Sequence, residues 1–530
     1  MDHKISKPLP YRQLAIICAC RFAEPICFTV IFPFIVQMVR DFHISEEKNV
    51  GYYVGFITSC FAFSQLLTGI HWGMLSDRIG RRPVILTGLV GTISSILLFG
   101  LSQSFMWALL SRSLCGLLNG NIGVLKSMVS ELTMDHLPHQ RARAFSLLPL
   151  MYGLGSIIGP MLGGFLSHPV TNIPFVFGHL GFVTDFLELY PYFLPCAISA
   201  FICTLGLIFG FFFLEETHPV HKKQGVDEEE RPLVNKNQQH NGEQSYSTFD
   251  NSNNDNQDER NSQHSPTPTI HDKHTPPTLK ESITPSVLAI CITYGCFAFQ
   301  AIFMDELFPL FTASSRENGG LGFSANEIGT ALAFSGIVTL VSQLVILPAM
   351  TKRFGLLRLF QKVLFILIFL YISQGLIRLL YDVPDLNGQT GTKTWVWVGL
   401  LTALAIKTIG HTICFTSCTI LVNNAAPRVD ALGAVNGFSQ CCASATRAFG
   451  PATCGIIWSA SLSAVFIPYP IRVNLSFITL SIFGTITCVL ARKLDPANYE
   501  TAHAREEVVL IEEEETLIFF SLTSDHSNSS

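Results

Sequence analysis

Three groups of residues have types and spacings that could do chemistry. The first is the run GMLSDRIGRRP at 73–83, which sets Asp77 beside Arg78, Arg81 and Arg82 between two strongly apolar stretches, with Gly73 and Gly80 framing the charges. An acid at a helix end can be held by neighbouring arginines or meet the positive N-terminal end of another helix, so such a cluster can exchange partners. The second group is a small set of ionisable residues inside apolar stretches: Arg21, Glu24, Arg112, Lys126, Asp305, Glu306, Lys407 and Arg447. An intramembrane charge costs a few kcal/mol, so it faces a cavity or a partner. A carboxylate in low dielectric can bind and release a proton near neutrality, which makes Glu24, Asp305 and Glu306 the candidate proton carriers. Their alternatives are buried ion pairs or an outer-surface position. The third group is GLGSIIGPMLGG, with Gly155, Gly159, Pro160, Gly163 and Gly164. Glycines let two backbones approach closely, and the proline removes one helix hydrogen bond and favours a bend.

Spacing refines the second group. Arg21 and Glu24 are three apart on one helical face and can pair with each other. On a continuous helix, Arg112, Gly116, Asn119, Gly123 and Lys126 fall within about 40° of one line, giving one face two cations and an amide. Asp305 and Glu306 are adjacent, point about 100° apart, and cannot both face one cavity fully. Lys407 and His411 lie four apart, and so share a face. His411 and Cys414 are one turn apart, but a lone pair of ligands reads as packing, so no metal site is expected. No Walker loop is present, so ATP hydrolysis is not the expected energy source, no cofactor is implied, and the chain does not read as an enzyme.

The elements that must hold these groups follow from composition. Of 530 residues, 48% are hydrophobic and only 14% charged, against about 25% charged in a soluble domain, and mean hydropathy is +0.39. Such a chain keeps most of its surface in a lipid bilayer. A net charge of −5 points to no nucleic-acid partner. The polar start MDHKISKPLPYRQ lacks the form of a secretory signal, and the first apolar run reads as a retained span. The 15 cysteines lie mostly in apolar runs and read as small buried hydrophobes. A span needs roughly 20 apolar residues, and twelve candidates appear: 12–38, 50–72, 83–102, 105–128, 142–167, 189–214, 286–311, 325–349, 358–381, 395–421, 432–461 and 471–492. The expected fold is an all-α membrane protein of twelve transmembrane helices in two six-helix, pseudo-symmetric halves.

Four regions follow: an N-terminal half at 1–216, a linker at 217–282, a C-terminal half at 283–494 and an acidic tail at 495–530. The linker is rich in Asn, Gln, Asp, Glu, Ser, His and Pro and cannot bury enough to offset its chain entropy, so it is expected to be disordered. Ser265, Thr267 and Thr275 in it each precede proline; they are phosphorylation candidates or parts of a plain spacer. Lys and Arg in short loops concentrate on the side that holds both termini and the linker, which makes that side cytoplasmic. The halves echo each other: GMLSDRIG (73–80) aligns with PAMTKRFG (348–355), and GPMLGG (159–164) with GPATCG (450–455).

On these motifs the chain resembles the major facilitator superfamily. Gly73, Asp77, Arg78, Gly80, Arg81 and Arg82 match its signature loop between helices 2 and 3, RSLCGLLNG matches its Arg-x-x-x-Gly motif at Arg112 and Gly116, and GLGSIIGPMLGG matches the helix-5 motif of its antiporters. RFAEPICFTVIFPF, LNGNIGVLKSMVSEL, MDELFPLF and NNAAPR are similar to the zinc-induced-facilitator-like branch and its fungal relatives in the twelve-helix drug:proton antiporter group. The resemblance implies a conformational latch in which Asp77 meets the start of helix 11 near Asp430; the alternative is a basic loop that only fixes topology. The second copy carries Lys352 at the acid's place, so only the first is expected to latch. Arg112 is implied in cavity or proton coupling, and the helix-5 glycines in alternating access. The implied activity is proton-coupled antiport of a small drug-like, organic-ion or metal-chelate solute out of the cytosol. The alternatives are an uncoupled facilitator and a transporter-like sensor without flux. A monomer is the family default. In the tail, Glu513, Leu517 and Ile518 resemble an acidic dileucine signal for a sorting adaptor, which tilts the expected location toward a vacuolar or endolysosomal membrane over the plasma membrane; a solvated acidic tail is the alternative.

Overall fold

The computed structural model describes residues 9–133, 138–217, 282–427 and 431–499. Among them there is no strand. Twelve membrane helices follow in order: α1 Tyr11–Thr29, α2 Val50–Ile79, α3 Arg81–Gly100, α4 in two pieces (α4a Phe105–Leu118, α4b Asn121–Leu132), α5 Pro138–Leu166, α6 Phe193–Phe213, α7 Pro285–Ala313, α8 Ala325–Val341 continuing through Leu347–Phe354, α9 Leu356–Leu376, α10 Thr394–Asn424, α11 Leu432–Ser463 and α12 Leu475–Arg492. Side-chain caps start several of them. Ser104 accepts from the Trp107 amide at α4a, Thr284 accepts from the Val287 amide ahead of Pro285 at α7, and Ser324 with Glu327 forms a capping box at α8. The turns that join α2 to α3 and α8 to α9 each pivot on a glycine of positive φ, Gly80 (99°) and Gly355 (74°), at equivalent places in the two halves.

The halves repeat one packing scheme. In the first, α1 packs on α5 and α6, α3 on α6 and α4a, and α2 on α4a. In the second, α7 packs on α11 and α12, α9 on α12 and α10, and α8 on α10, the same scheme shifted by six helices. The halves meet along two seams, α2 with α11 and α5 with α8.

Among the described residues nine helices are by themselves long and apolar enough to cross a bilayer; α1, α4 and α11 are the three that fall short. Those three bring Arg21 and Glu24, Arg112 and Lys126, and Arg447 into the bundle. Two of them are broken where the sequence predicts one continuous span. The expected span 12–38 stops at Thr29 and restarts as a short helix, Ile35–Asp41, because Pro33 has no amide to donate and the Thr29 hydroxyl bonds back to the Pro25 carbonyl at 2.8 Å. The expected span 105–128 is interrupted at Asn119 and Gly120. There the Trp72 ring occupies the space a Cβ on Gly120 would need. The carbonyls freed by the break are taken by α2: the Trp72 indole donates to Leu117 O at 2.7 Å, and Gln65 Nε2 donates to Asn119 O at 3.2 Å. A third irregularity, the π-helical turn Ser342–Ile346 in α8, precedes Pro348.

Candidate functional site

The seams between halves are tight at one end only. Gly51 and Gly55 of α2 lie against Gly455 and Pro451 of α11, and a Cβ on Gly455 would fall on the Gly51 carbonyl. The Tyr52 amide donates to Ser459 Oγ at 3.1 Å, and the Ala452 amide donates to Ser59 Oγ at 2.8 Å. On the other seam, the backbones of Gly164 in α5 and Gly329 in α8 touch; a further bond between the halves runs from Arg40, in the short helix Ile35–Asp41, to the Ala313 carbonyl of α7 at 2.9 Å. All of these belong to the end away from the described termini. Toward the terminal end, Gly69 and Gly73 of α2, Gly123 of α4b and Gly437 of α11 face open space. The bundle is therefore closed at one end and open at the end where Tyr499 docks on Ser286 and Asn424.

Where the closed end begins, an acid of one half and a cation of the other are buried within each other's field. Glu306 of α7 is 2% exposed and accepts from Thr58 Oγ1 of α2 at 3.2 Å. Arg112 of α4a is 1% exposed and lies in the field of Glu306. Its guanidinium is 4.7 Å from the Phe61 ring centroid and 5.9 Å from those of Phe28 and Phe99, while its Nε and Nη2 have no hydrogen-bond acceptor. Aromatic faces thus replace acceptors around a buried cation.

The shared face predicted for Arg112, Asn119 and Lys126 does not form. The break at Asn119, a non-helical residue with ψ of 86°, separates the two pieces. Arg112 is enclosed, Asn119 is buried with its Oδ1 unpartnered, and Lys126 on α4b is exposed.

Lys126 joins a second group near mid-depth in the open part of the bundle. It lies in the field of Arg21 of α1 and Arg447 of α11. Arg21 is paired with Glu24 one turn on, and its guanidinium lies 5.9 Å from the ring centroid of Tyr152 on α5. Tyr152 and Tyr294 of α7 both lie in the field of Arg447. Across the bundle, Lys407 of α10 donates to Asp305 of α7 at 2.5 Å. Lys407 thus pairs with another helix and not with His411, which instead hydrogen-bonds the Tyr371 hydroxyl at 3.0 Å. Asp305 faces the opening with a half-exposed side chain while its neighbour Glu306 is sealed, as their angular separation requires. Sequence reasoning singled out neither tyrosine nor Thr58, since nothing local marks one aromatic or hydroxyl residue among many. Among the described residues, no three His, Cys, Asp or Glu side chains converge as metal ligands.

The loop cluster is a network with two members the sequence did not flag. Asp77 pairs with Arg81 at 2.6 Å, and Arg81 also reaches Glu131 of α4b at 3.0 Å. Glu216, after α6, accepts from the backbone amides of Arg81 and Arg82 at 2.9 and 3.0 Å, capping α3 from a distant segment, and Arg82 donates to Phe211 O at 2.5 Å. Arg78 also has an interaction partner. Asp77 remains 60% exposed at its side chain, on the open end of the bundle. The expected latch partner, Asp430, and the tail residues Glu513, Leu517 and Ile518 lie outside the described residues, as do Ser265, Thr267 and Thr275. In α5, Gly155, Gly159 and Gly163 bring the helix onto Pro25, Thr29 and Val30 of the first span, Gly164 turns to α8, and the helix runs unbroken through Pro160.

With this geometry in place, comparison with known proteins decides the family. The profile described as Major Facilitator Superfamily matches residues 17–451. The chain belongs to that superfamily. It is therefore a multi-pass membrane transporter and not an enzyme. It is 33% identical over 501 residues to the multidrug transporter mfsB of Aspergillus fumigatus, covering 86% of this chain and 79% of that protein. It is 30% identical to Zinc Induced Facilitator 1 of Arabidopsis thaliana, covering 88% of each. Among solved structures, a D-xylose–proton symporter aligns with a TM-score of 0.63 over 93% of this chain and all of that one, at 11% identity, a likeness of fold alone. The family shares the two-half architecture and explains why the same five pairings recur six helices apart.

Proposed function

We propose that the chain is a proton-coupled antiporter that moves a small solute out of the cytosol by alternating access. Its halves comprise 1–216 and 283–494, its linker 217–282 and tail 495–530 are cytoplasmic, and it works as a monomer. The excess of Lys and Arg in the loops at the terminal end supports that orientation, and with it the conformation described above is inward-open. The observation that carries the coupling is the Glu306 carboxylate, buried between the halves, holding Thr58 and facing Arg112, both from the opposite half. Ionised, Glu306 draws the halves together at the closed end; neutralised by a proton, it loses its attraction for Arg112. Proton occupancy thereby biases which end opens: opening the closed end lets Glu306 take a proton from the far side, and passing that proton to the adjacent Asp305, which faces the open end, re-ionises Glu306 as the far end closes and releases the proton to the cytosol. The α5 glycine motif supports exchange over uptake. The relatives, named as a multidrug transporter and a facilitator, agree with a small-solute cargo. A vacuolar or endolysosomal membrane, with an acidic lumen, supplies a proton gradient in the required direction.

The test is substrate-triggered proton movement in proteoliposomes that carry an internal pH dye and an imposed pH gradient. A panel of zinc chelates, siderophores, lipophilic cations and organic anions is added in turn. The expected result is dissipation of the gradient by one class, abolished by Glu306→Gln while radiotracer exchange of that class persists. Tracer flux that leaves the gradient untouched in the wild-type protein would replace antiport with uncoupled facilitation.

A further inference from the structure

We propose that the mid-depth cavity takes an organic anion, with Lys126 and Arg447 holding its carboxylate, sulfonate or phosphate group. The inference rests on the chain being an alternating-access transporter and not on its coupling to protons. Its ground is the balance of charge. The cavity group contains four cations, Arg21, Lys126, Lys407 and Arg447, and two carboxylates, Glu24 and Asp305. The carboxylates are already taken: Glu24 pairs with Arg21 on its own helix, and Asp305 pairs with Lys407 across the bundle. Glu306 and Arg112 are sealed away at the closed end. Among the described residues, Lys126 makes no ion pair or hydrogen bond, and Arg447 bonds to Ser444 of its own helix, at 3.1 Å.

These two cations, neither in an ion pair among the described residues, come from opposite halves and lie in one another's field and in that of Arg21, whose partner Glu24 also reaches Arg447. Like charges brought together away from bulk water repel strongly, and an anion placed between them removes the repulsion while gaining charge-assisted hydrogen bonds from both. A cationic cargo would meet a net positive wall with no free carboxylate to receive it. The rest of the lining fits the body of the same molecule. Tyr152 and Tyr294 offer hydroxyls beside Arg447, and the ring of Tyr294 abuts Phe415, which packs edge-on against Phe297 at 4.9 Å. An anionic head on an aromatic or polycyclic body satisfies both features. Because Lys126 belongs to the first half and Arg447 to the second, such a ligand also bridges the two bodies that must move together.

The experiment is equilibrium dialysis of the purified full-length protein against radiolabelled salicylate, taurocholate and tetraphenylphosphonium. The expected result is binding of one or both anions with little binding of the cation. Lys126→Gln and Arg447→Gln should each weaken anion binding about ten-fold or more, as expected for loss of a hydrogen bond to a charged group. Lys126→Arg should retain it, and the double reversal Lys126→Glu/Arg447→Glu should turn preference toward tetraphenylphosphonium. Thermal unfolding of each variant confirms that it is folded; if Arg447→Gln is not, the exposed Lys126 alone decides. Binding of the cation in preference to the anions, binding of none of the three by folded wild-type protein, or anion affinity unchanged in folded Lys126→Gln would overturn the inference. Dialysis needs no pH gradient, so anion binding that survives a failure of proton coupling separates this inference from the antiport reading.

Discussion

Replacing Gly455 by valine places a branched side chain where the Gly51 carbonyl of α2 now lies. The next nearest atoms, Gly51 C at 3.0 Å and Gly55 Cα at 3.3 Å, are also backbone, so no side-chain rotation relieves the overlap and α2 must move away from α11. Inserting extra carbon into a packed contact costs about 1–3 kcal/mol. That cost falls only on the arrangement in which this seam is closed; once the seam parts, valine faces a gap. A penalty of about 1–3 kcal/mol on one of two states shifts their ratio by roughly 5- to 150-fold. The assay is a pulsed electron–electron distance measurement between spin-labelled non-natural residues at Glu46 and Val465, both well exposed at the closed end. The wild-type distribution should be dominated by the short distance, and Gly455→Val should transfer population to a longer one. Gly455→Ala should do the same to a lesser degree. An unchanged distribution in folded Gly455→Val would refute the claim that the α2–α11 seam is a moving interface, and would leave it as a static packing contact.

Two further predictions concern residues that hold the site in place. Gly120→Ala sets a methyl group against Cβ and the first ring carbons of Trp72 at the α4 break; it should lower stability by about 1–3 kcal/mol in thermal unfolding, and Trp72→Phe in the same chain should not rescue it, since phenylalanine keeps those carbons and the indole bond to Leu117 O is lost as well. Glu216→Ala removes the acceptor for the Arg81 and Arg82 amides and should cost about 1 kcal/mol, the scale of a lost helix cap, with Glu216→Gln recovering part of it; no change in melting temperature would mean that water caps α3 equally well.

The sequence determined the membrane class, the twelve helices, their division into two echoing halves and the family, because each of these is written in local terms. Apolar runs of span length, a turn glycine at Gly80 and again at Gly355, and a motif of fixed spacing need no knowledge of what lies across the bundle. It also named most of the charged residues at the site, since an ionisable group in an apolar run stands out by type alone. What it left undecided was who faces whom. The break in α4 turned Arg112 and Lys126 from one face into two environments, and its cause, the Trp72 ring and the Gln65 amide, lies on another helix. Lys407 found Asp305 and not His411, Glu306 found Thr58, and Glu216, from the segment after α6, came to cap α3. These pairings join residues tens to hundreds of positions apart, and sequence periodicity carries no information about them. The charges at Lys126 and Arg447 became visible only by subtraction, after the tertiary structure had assigned Glu24 and Asp305 to other cations and Glu306 to the sealed interior.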